Sequence, residues 1–526
     1  MTKPAIGIDF GTNFCIAAHQ AGERCEWVRD LDGAARHASI VTFLEDDAYL
    51  VGNRAQGYLV GSPADAIDQI RRLLGQYHFS PHVALLRRTL GFALAEGPNH
   101  EVRVKPRGHV RPVQQVAAIV LSYIRALAER HLGEEIRHAV LTVPLHATVN
   151  QRHAMKEAAQ IAGFEEIRLL SEPAAAAISF AQVHPEPARI AVVRVGAGGV
   201  DCALFYVEQE LIQLLGQSGE GVFGGNNLID RLVRHCLRNV SSLSGVDFSN
   251  SRSAYAKMRH QVERALMQLT DHESTEFVVG RISKSKEETR LSITRGDVSN
   301  AAEELLARVA WSIEQACAEA NLRPDAVDQV IAIGGPTLVP VVHQRIASQF
   351  GKRPTNIVDP LFAPAEGAAL LASALWEGGE IRPIVVESLP NTVRLATAGG
   401  YSVPVIERST PLPFEQTRVF TSNLDPKNTV TLKLFQGEGR LQKENELLGE
   451  YVFSGFENQD QRRVEVGARF RLSPDGLFEL VAYDPYSGVE ARHSLTLSTR
   501  LDRHELLQLT STEPLYTLSD GSGVFS

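Results

Sequence analysis

The sequence predicts two architectures joined in one chain: an α/β region up to about residue 380 and an antiparallel β-sandwich beyond about residue 388. Two observations carry this. In the first region, short apolar runs rich in β-branched residues alternate with stretches of helical periodicity, as in α/β proteins. In the second, apolar and polar residues alternate with period two between turn clusters, as in a sandwich.

Ala5–Phe10, Ala139–Val143, Arg189–Val195 and Gln329–Ile333 read as buried strands. Between them lie helices. Val113, Val116, Val120, Tyr123, Ile124 and Leu127 recur at spacings of three and four, which predicts a helix over Val113–His131 behind Pro112. Ala301–Ala320 and Ala363–Ala374 read the same way. Glu377–Glu387 holds glycines and then the apolar stripe Ile384, Val385 and Val386, a linker expected to dock. Beyond it, Val430, Leu432 and Leu434, then Val464, Val466, Phe470 and Leu472, then Leu495 and Leu497 alternate with other neighbours. Ser473–Gly476 and Asp484–Gly488 supply turns. The expected division is residues 1–380, a linker at 381–388, a sandwich at 389–500 and a short tail at 501–526.

With 526 residues, 44% hydrophobic and 22% charged, the chain is an ordinary globular protein of several domains, not a disordered one. A net charge of −9 argues against nucleic acid as a ligand. The basic run Arg103–Arg111 is short and lacks interleaved aromatics, so it reads as a solvated loop. The N-terminus has no signal-peptide core, and no apolar run reaches the ~20 residues that span a bilayer. Five scattered cysteines form no CxxC pair, as expected of reduced thiols. These features predict a cytoplasmic protein without membrane contact. The seventeen histidines form no metal-ligand pattern, and His146 and His153 read as structural.

Three loops carry candidate chemistry. Gly7–Thr12 and Val195–Asp201 each follow a strand and combine glycines with an acid where the chain reverses. Glycine lets backbone N–H groups approach a phosphate, and a nearby acid can hold magnesium through water. A third loop, Ile333–Thr337, follows a strand and precedes a helix, a setting that can receive an anion. Each loop alone fits an ordinary tight turn equally well.

Together the loops, and the segments between them, resemble the DnaK-type, seventy-kilodalton heat-shock chaperones. Leu141–Pro144 with Gln151 and Arg152 is similar to that family's switch segment. Ala159–Gly163 with Ser171–Ala176 resembles its AGL…NEPTAA segment, and Gly219–Gly225 with Asp230 its GDxxLGGxxxD segment. Val358–Pro360 and Gly367–Ala369 resemble its closing segment. The match covers about residues 5–500.

The resemblance implies an actin-like, ribonuclease-H-like two-lobed ATPase domain followed by a peptide-binding β-sandwich. It implies ATP and Mg2+ as cofactors. Arg71, Glu172 and Asp201 would be the catalytic positions, and Asp9 and Asp201 the metal partners. Gly11, Thr12, Asn13, Gly196, Gly198, Gly199, Gly224, Gly225, Glu263, Gly334 and Gly335 would hold the nucleotide. Pro144 and Arg152 would form the interdomain switch. Leu395, Ala398, Phe420, Val430 and Leu432 would line the pocket for extended apolar peptides, with plain sandwich core as the alternative. Unfolded clients, a J-domain co-chaperone and a nucleotide exchange factor are the implied partners.

The departures fall on the chemistry. Arg71 stands where the family has lysine, Arg194 where it has an acid, and Gly199 where it has threonine. Arg194 could point inward, reversing a charge beside the metal, or outward. Leu266 and Leu338 replace a lysine and an arginine of the base site. The chain also lacks the long helical lid, which predicts fast peptide exchange. The expectation is therefore an ATP-binding chaperone with weak hydrolysis. The alternatives are a degenerate nucleotide-binding scaffold or peptide-binding module without turnover and, less favoured by the sandwich and the Pro144–Arg152 segment, an actin-like sugar kinase or filament protein.

Overall fold

The computed structural model describes residues 3–244, 247–248, 251–280, 289–379, 383–423, 429–454, 463–486, 488–511 and 515–516. Among them, no helix is long and apolar enough to cross a membrane.

Two mixed sheets organise the α/β region. In the first, the strands run Glu166–Ser171, His138–Val143, Ala5–Phe10, Phe14–Ala21, Arg24–Trp27. In the second they run Gln329–Ile333, Ala188–Val195, Val200–Glu208, Leu211–Glu220, Ile384–Val386. Each sheet has a three-stranded antiparallel meander, with parallel strands added beside its first strand. The shared pattern of Gly7–Thr12 and Val195–Asp201 therefore reflects a repeated sheet, and both segments lie at its first hairpin.

Between the sheets lie two small-residue helices, Glu172–Val183 and Ala363–Ala372, packed on each other. Their alanines allow a close approach. A Cβ at Gly367 would stand 1.7 Å from the carbonyl oxygen of Ala175. Buried residues from both sheets, among them Val140, Leu170, Ile190 and Ile331, share one core with these helices. This fixes the ends of both first hairpins relative to each other.

Helix limits follow local signals. Val113–Leu132 ends at Gly133, which adopts φ 71°. The helix expected at Ala301–Ala320 spans Arg295–Glu319. Its earlier start comes from a capping box, in which Thr294 Oγ1 accepts from Asp297 N and the Asp297 carboxylate accepts from Thr294 N.

The sandwich stacks a five-stranded sheet (Ser402–Ile406, Val393–Ala396, Thr429–Gln436, Glu446–Ser454, Arg492–Leu497) on a three-stranded one (Phe414–Asn423, Arg463–Leu472, Phe478–Tyr483). Val430, Leu434, Phe453, Val466 and Phe470 are fully enclosed between them.

The linker and the tail both attach to the α/β region. Ile384–Val386 adds a parallel strand to the edge of the second sheet, beside Leu211–Gln213. After the sandwich, Leu501, the helix Arg503–Ser511 and Tyr516 pack on the unit built around the first sheet. The Tyr516 ring meets Tyr123 edge-on at 5.0 Å. This corrects the reading of Arg103–Arg111 as a wholly solvated loop. Arg103 is buried, donating to Glu505 at 2.8 Å through two nitrogens and to Glu101. Lys105, Arg107 and His109 are exposed as expected.

Candidate functional site

The first hairpin turns at Gly11–Asn13 and the second at Gly196–Gly199, and both face one cleft. A cavity of about 420 Å³ runs along it. At one end it is bordered by Asp9, Gly11, Thr12 and Asn13 with Arg71 and Glu172. Gly196 and Gly225 form its flank. Glu263, Gly334 and Gly335 also border it, with Leu266 and Leu338. Gly334 adopts φ 92°, and a Cβ there would stand 2.3 Å from the carbonyl oxygen of Val195, so only glycine fits.

Asp201, Gly198, Gly199 and Gly224 do not border this cavity. Asp201 is fully buried, and Gly198 and Gly199 face a smaller recess with Arg72 and His146. Gly224 packs beneath the second hairpin, where a Cβ would meet Gly199 N at 2.5 Å. Its neighbours Gly225 and Asn226 donate from their backbone nitrogens to the Gly196 and Ala197 carbonyls at 2.9 and 2.8 Å. These glycines shape the loop from behind.

The centre of the cleft holds a buried ion-pair cluster. Arg194 points inward. It lies directly opposite Asp201 across the second hairpin, and such cross-strand pairs share a sheet face. Arg194 Nη1 donates to Asp201 Oδ2 at 2.8 Å, and Nε donates to Glu172. Arg71 Nη1 donates to the other Glu172 oxygen and to the Phe10 carbonyl at 2.9 Å. His146 Nδ1 lies 2.5 Å from Asp201 Oδ1. Thr142 Oγ1 donates to Asp9 at 2.6 Å.

The electrostatics follow from these partners. Burial disfavours a charged Glu172, but Arg194 and Arg71 outweigh it and hold its carboxyl below the usual range. Asp201 is likewise held low against burial, by His146 and Arg194. Burial disfavours a charged Arg194 too, yet Glu172 and Asp201 keep it firmly protonated. Asp9 is different. Burial, helped by the charge of Glu172, pushes its pKa up to about 6.

These residues do not fit a hydrated divalent ion in the expected place. Both oxygens of Asp201 are taken by protein groups, and a guanidinium already bridges it to Glu172. Among the described residues no cluster of three or more His, Cys, Asp or Glu side chains is arranged to hold a metal.

Polar contacts cross the cleft. Asn13 Nδ2 donates to Asn226 Oδ1 at 3.2 Å, and Arg259 Nη2 reaches the same oxygen at 2.9 Å. Arg259 Nε also donates to Glu263 at 3.0 Å, while burial raises the Glu263 pKa against that pull. Leu338 is 44% exposed at the cavity rim, an apolar surface on which a planar base could rest.

From this cleft a short path leads to the sandwich. Pro144 ends the strand His138–Val143, and His146 follows it against Asp201. Arg152, 4% exposed, donates to the carbonyls of Ala147 at 3.3 Å and of Asp475 in the sandwich at 3.0 Å. The Asp475 carboxylate accepts from Leu169 N at 3.2 Å and pairs with Arg168 at 3.1 Å. Asn150 donates to the Leu447 carbonyl, and Tyr77 to that of Leu448. His153 Nε2 lies 3.2 Å from the Phe478 carbonyl. The sequence names His146 only as structural, and its partner Asp201 is what the structure adds. The signal was the place of His146, two residues past the strand-ending proline, where the chain must cross toward the second hairpin.

The five expected peptide contacts do not form one open pocket here. Leu395, Val430 and Leu432 are buried in the sandwich core, and Phe420 is half-buried with its ring edge-on to Phe470. Ala398 is exposed in a separate turn. A peptide would have to open this region to touch the first three.

A family model described as Hsp70 protein matches residues 5–522.

Proposed function

The chain belongs to the Hsp70 family, whose members are nucleotide-regulated chaperones that bind ATP and Mg2+, and we propose that it couples nucleotide binding in the cleft to capture of extended apolar peptides by the sandwich, with slow ATP turnover. The α/β region then acts as an actin-like, two-lobed nucleotide-binding domain, with Gly11–Asn13 and Gly196 at the phosphates and Glu263 with Gly334–Gly335 at the nucleoside.

One observation carries this reading. The path Asp201–His146–Ala147–Arg152–Asp475 joins the cleft to the sandwich, while the linker strand Ile384–Val386 is part of the second sheet. A ligand that shifts one hairpin against the other strains both attachments. Coupling needs such a shared two-state element. Peptide binding would favour the undocked sandwich, whose two sheets are freer to part over Leu395, Val430 and Leu432.

Slow turnover follows from the ion-pair cluster. Arg71 is committed to Glu172 and Phe10, so it is not free to position an attacking water. Losing one such preorganised group commonly costs ~10²–10³ in rate. The same cluster favours a second reading, a nucleotide-binding scaffold without turnover.

The test uses a fluorescent extended peptide and the full chain. Peptide affinity is expected to change at least about fivefold between nucleotide-free and ATP-saturated protein. Single-turnover hydrolysis is expected to be slow or undetectable. Peptide affinity indifferent to nucleotide would overturn the coupling; coupling with no hydrolysis at all would select the second reading.

A further inference from the structure

We propose that Arg194 is a built-in counter-ion for the phosphates of bound nucleotide, so that this chain binds adenine nucleotide without a divalent metal. The inference rests on the nucleotide-binding reading and goes beyond it.

Three observations support it. First, Arg194 is 2% exposed, yet only two of its three nitrogens have protein partners among the described residues. Nη2 is the one left over. It lies against Gly196, where a Cβ would stand 2.5 Å from it, and Gly196 belongs to the glycine loop beside the cavity. A guanidinium nitrogen left without a protein partner beside such a loop is suited to a phosphate oxygen, and a bond between charged partners is stronger than a neutral one.

Second, the charge balance is already set. Asp9, Glu172 and Asp201 supply three carboxylates at this end of the cleft, and Arg71 and Arg194 supply two guanidinium groups. Counting these five groups and leaving the His146 imidazole aside, one negative charge remains, the same remainder that a single divalent cation would leave. Phosphates entering beside Gly11–Asn13 and Gly196 therefore do not meet three unscreened acids.

Third, the place where a hydrated ion would sit against Asp201 is filled by the guanidinium itself. A free ion would have to displace a partner of Asp201, and removing one member of a buried pair is strongly unfavourable. Arg194 is held from two sides, so its charge is pre-positioned and costs little reorganisation when a phosphate arrives.

The experiment is calorimetric titration of the full chain with ADP and with ATP, in Mg2+ and in EDTA. The expected result is a dissociation constant that changes by less than about threefold on removing the metal. A weakening of about tenfold or more in EDTA overturns the inference and leaves the nucleotide-binding reading standing. No binding in either buffer overturns both. Arg194→Asp, checked for folding by thermal melting, is expected to bind ADP only when Mg2+ is present. If that variant does not fold, Arg194→Lys is expected to keep metal-independent binding with reduced affinity. Adenosine, which has no phosphate, is expected to bind Arg194→Lys and the unaltered chain equally. Loss of adenosine binding in Arg194→Lys would mean that Arg194 shapes the cleft instead of meeting phosphate.

Discussion

Arg152 lies in the α/β region and Asp475 in the sandwich, and the buried guanidinium of the first donates to the main-chain carbonyl of the second at 3.0 Å. The contact is asymmetric. Arg152 reads the turn Ser473–Gly476 through its backbone, while the Asp475 carboxylate turns the other way to Leu169 N, Arg168 and Lys156. The turn is therefore gripped from two sides by the α/β region.

Asp475→Ala should release much of that grip. It leaves Leu169 N without its acceptor and removes two ion pairs. Hydrogen bonds to charged groups are worth ~1.5–3 kcal/mol each, so docking should weaken by roughly tenfold to a hundredfold. Limited proteolysis between residues 377 and 388 reports this as faster cleavage. An unchanged cleavage rate would show that this turn does not hold the sandwich.

Glu172→Ala should destabilise the fold. Among the described residues Glu172 is the only carboxylate shared by Arg71 and Arg194, and breaking a buried pair this way costs ~3–5 kcal/mol. Thermal melting should show a clear fall in Tm. The double variant Glu172→Ala, Arg194→Met should recover part of it, because one uncompensated charge is removed with its partner.

Docking should loosen as pH rises. Burial pushes the Glu446 carboxyl up to about 7, opposed only by its contact with Thr148 across the domain interface. A carboxyl whose pKa is raised in the docked state binds its proton more tightly there. Its contribution is thus complete below the ordinary carboxyl pKa and is lost as pH climbs through about 7. Between pH 6 and pH 8 the docking equilibrium should shift by about tenfold toward the free sandwich. Glu446→Gln should flatten that dependence in the same proteolysis assay. A slope unchanged in the variant would assign it elsewhere, and Glu157, also raised to about 7 by burial and bonded to Leu501 N at the tail, would be the next group to substitute.

Val385→Asp should detach the linker. Val385 sits mid-strand beside Ile212 and packs against the core that the two sheets share. Burying a carboxylate there without a partner is unfavourable, so the strand should leave the sheet. The expected readouts are rapid linker cleavage and loss of any nucleotide effect on peptide affinity. Retention of both the strand's protection and the coupling would remove the linker from the mechanism.

Much of the fold was legible because its signals are local. The four strands expected in the α/β region all form, since short apolar runs rich in β-branched residues favour buried strands. The glycine loops were legible for the same reason, as positions where a side chain has no room. What stayed illegible depends on distant partners. Arg194 was recognised as a departure, but its direction is set by the register of the second hairpin and by Glu172, 22 residues away. His146 meets Asp201 across 55 residues, with no periodicity to announce it. The sandwich side chains Leu395, Val430 and Leu432 have a pattern that serves core and pocket equally, and only the packing of the two sheets on each other decides that they are enclosed.

The chain returns, after the sandwich, to place Leu501 and Tyr516 in the interior around the first sheet, while Ile384–Val386 is stitched to the second. The sandwich is thus moored at both of its ends, each to a different half of the cleft. Letting go of its face does not set it adrift, because two short tethers keep it within reach and make re-engagement an intramolecular event at high effective concentration. A hinge motion between the halves would tug the moorings in different directions, and the sandwich would be twisted as well as released.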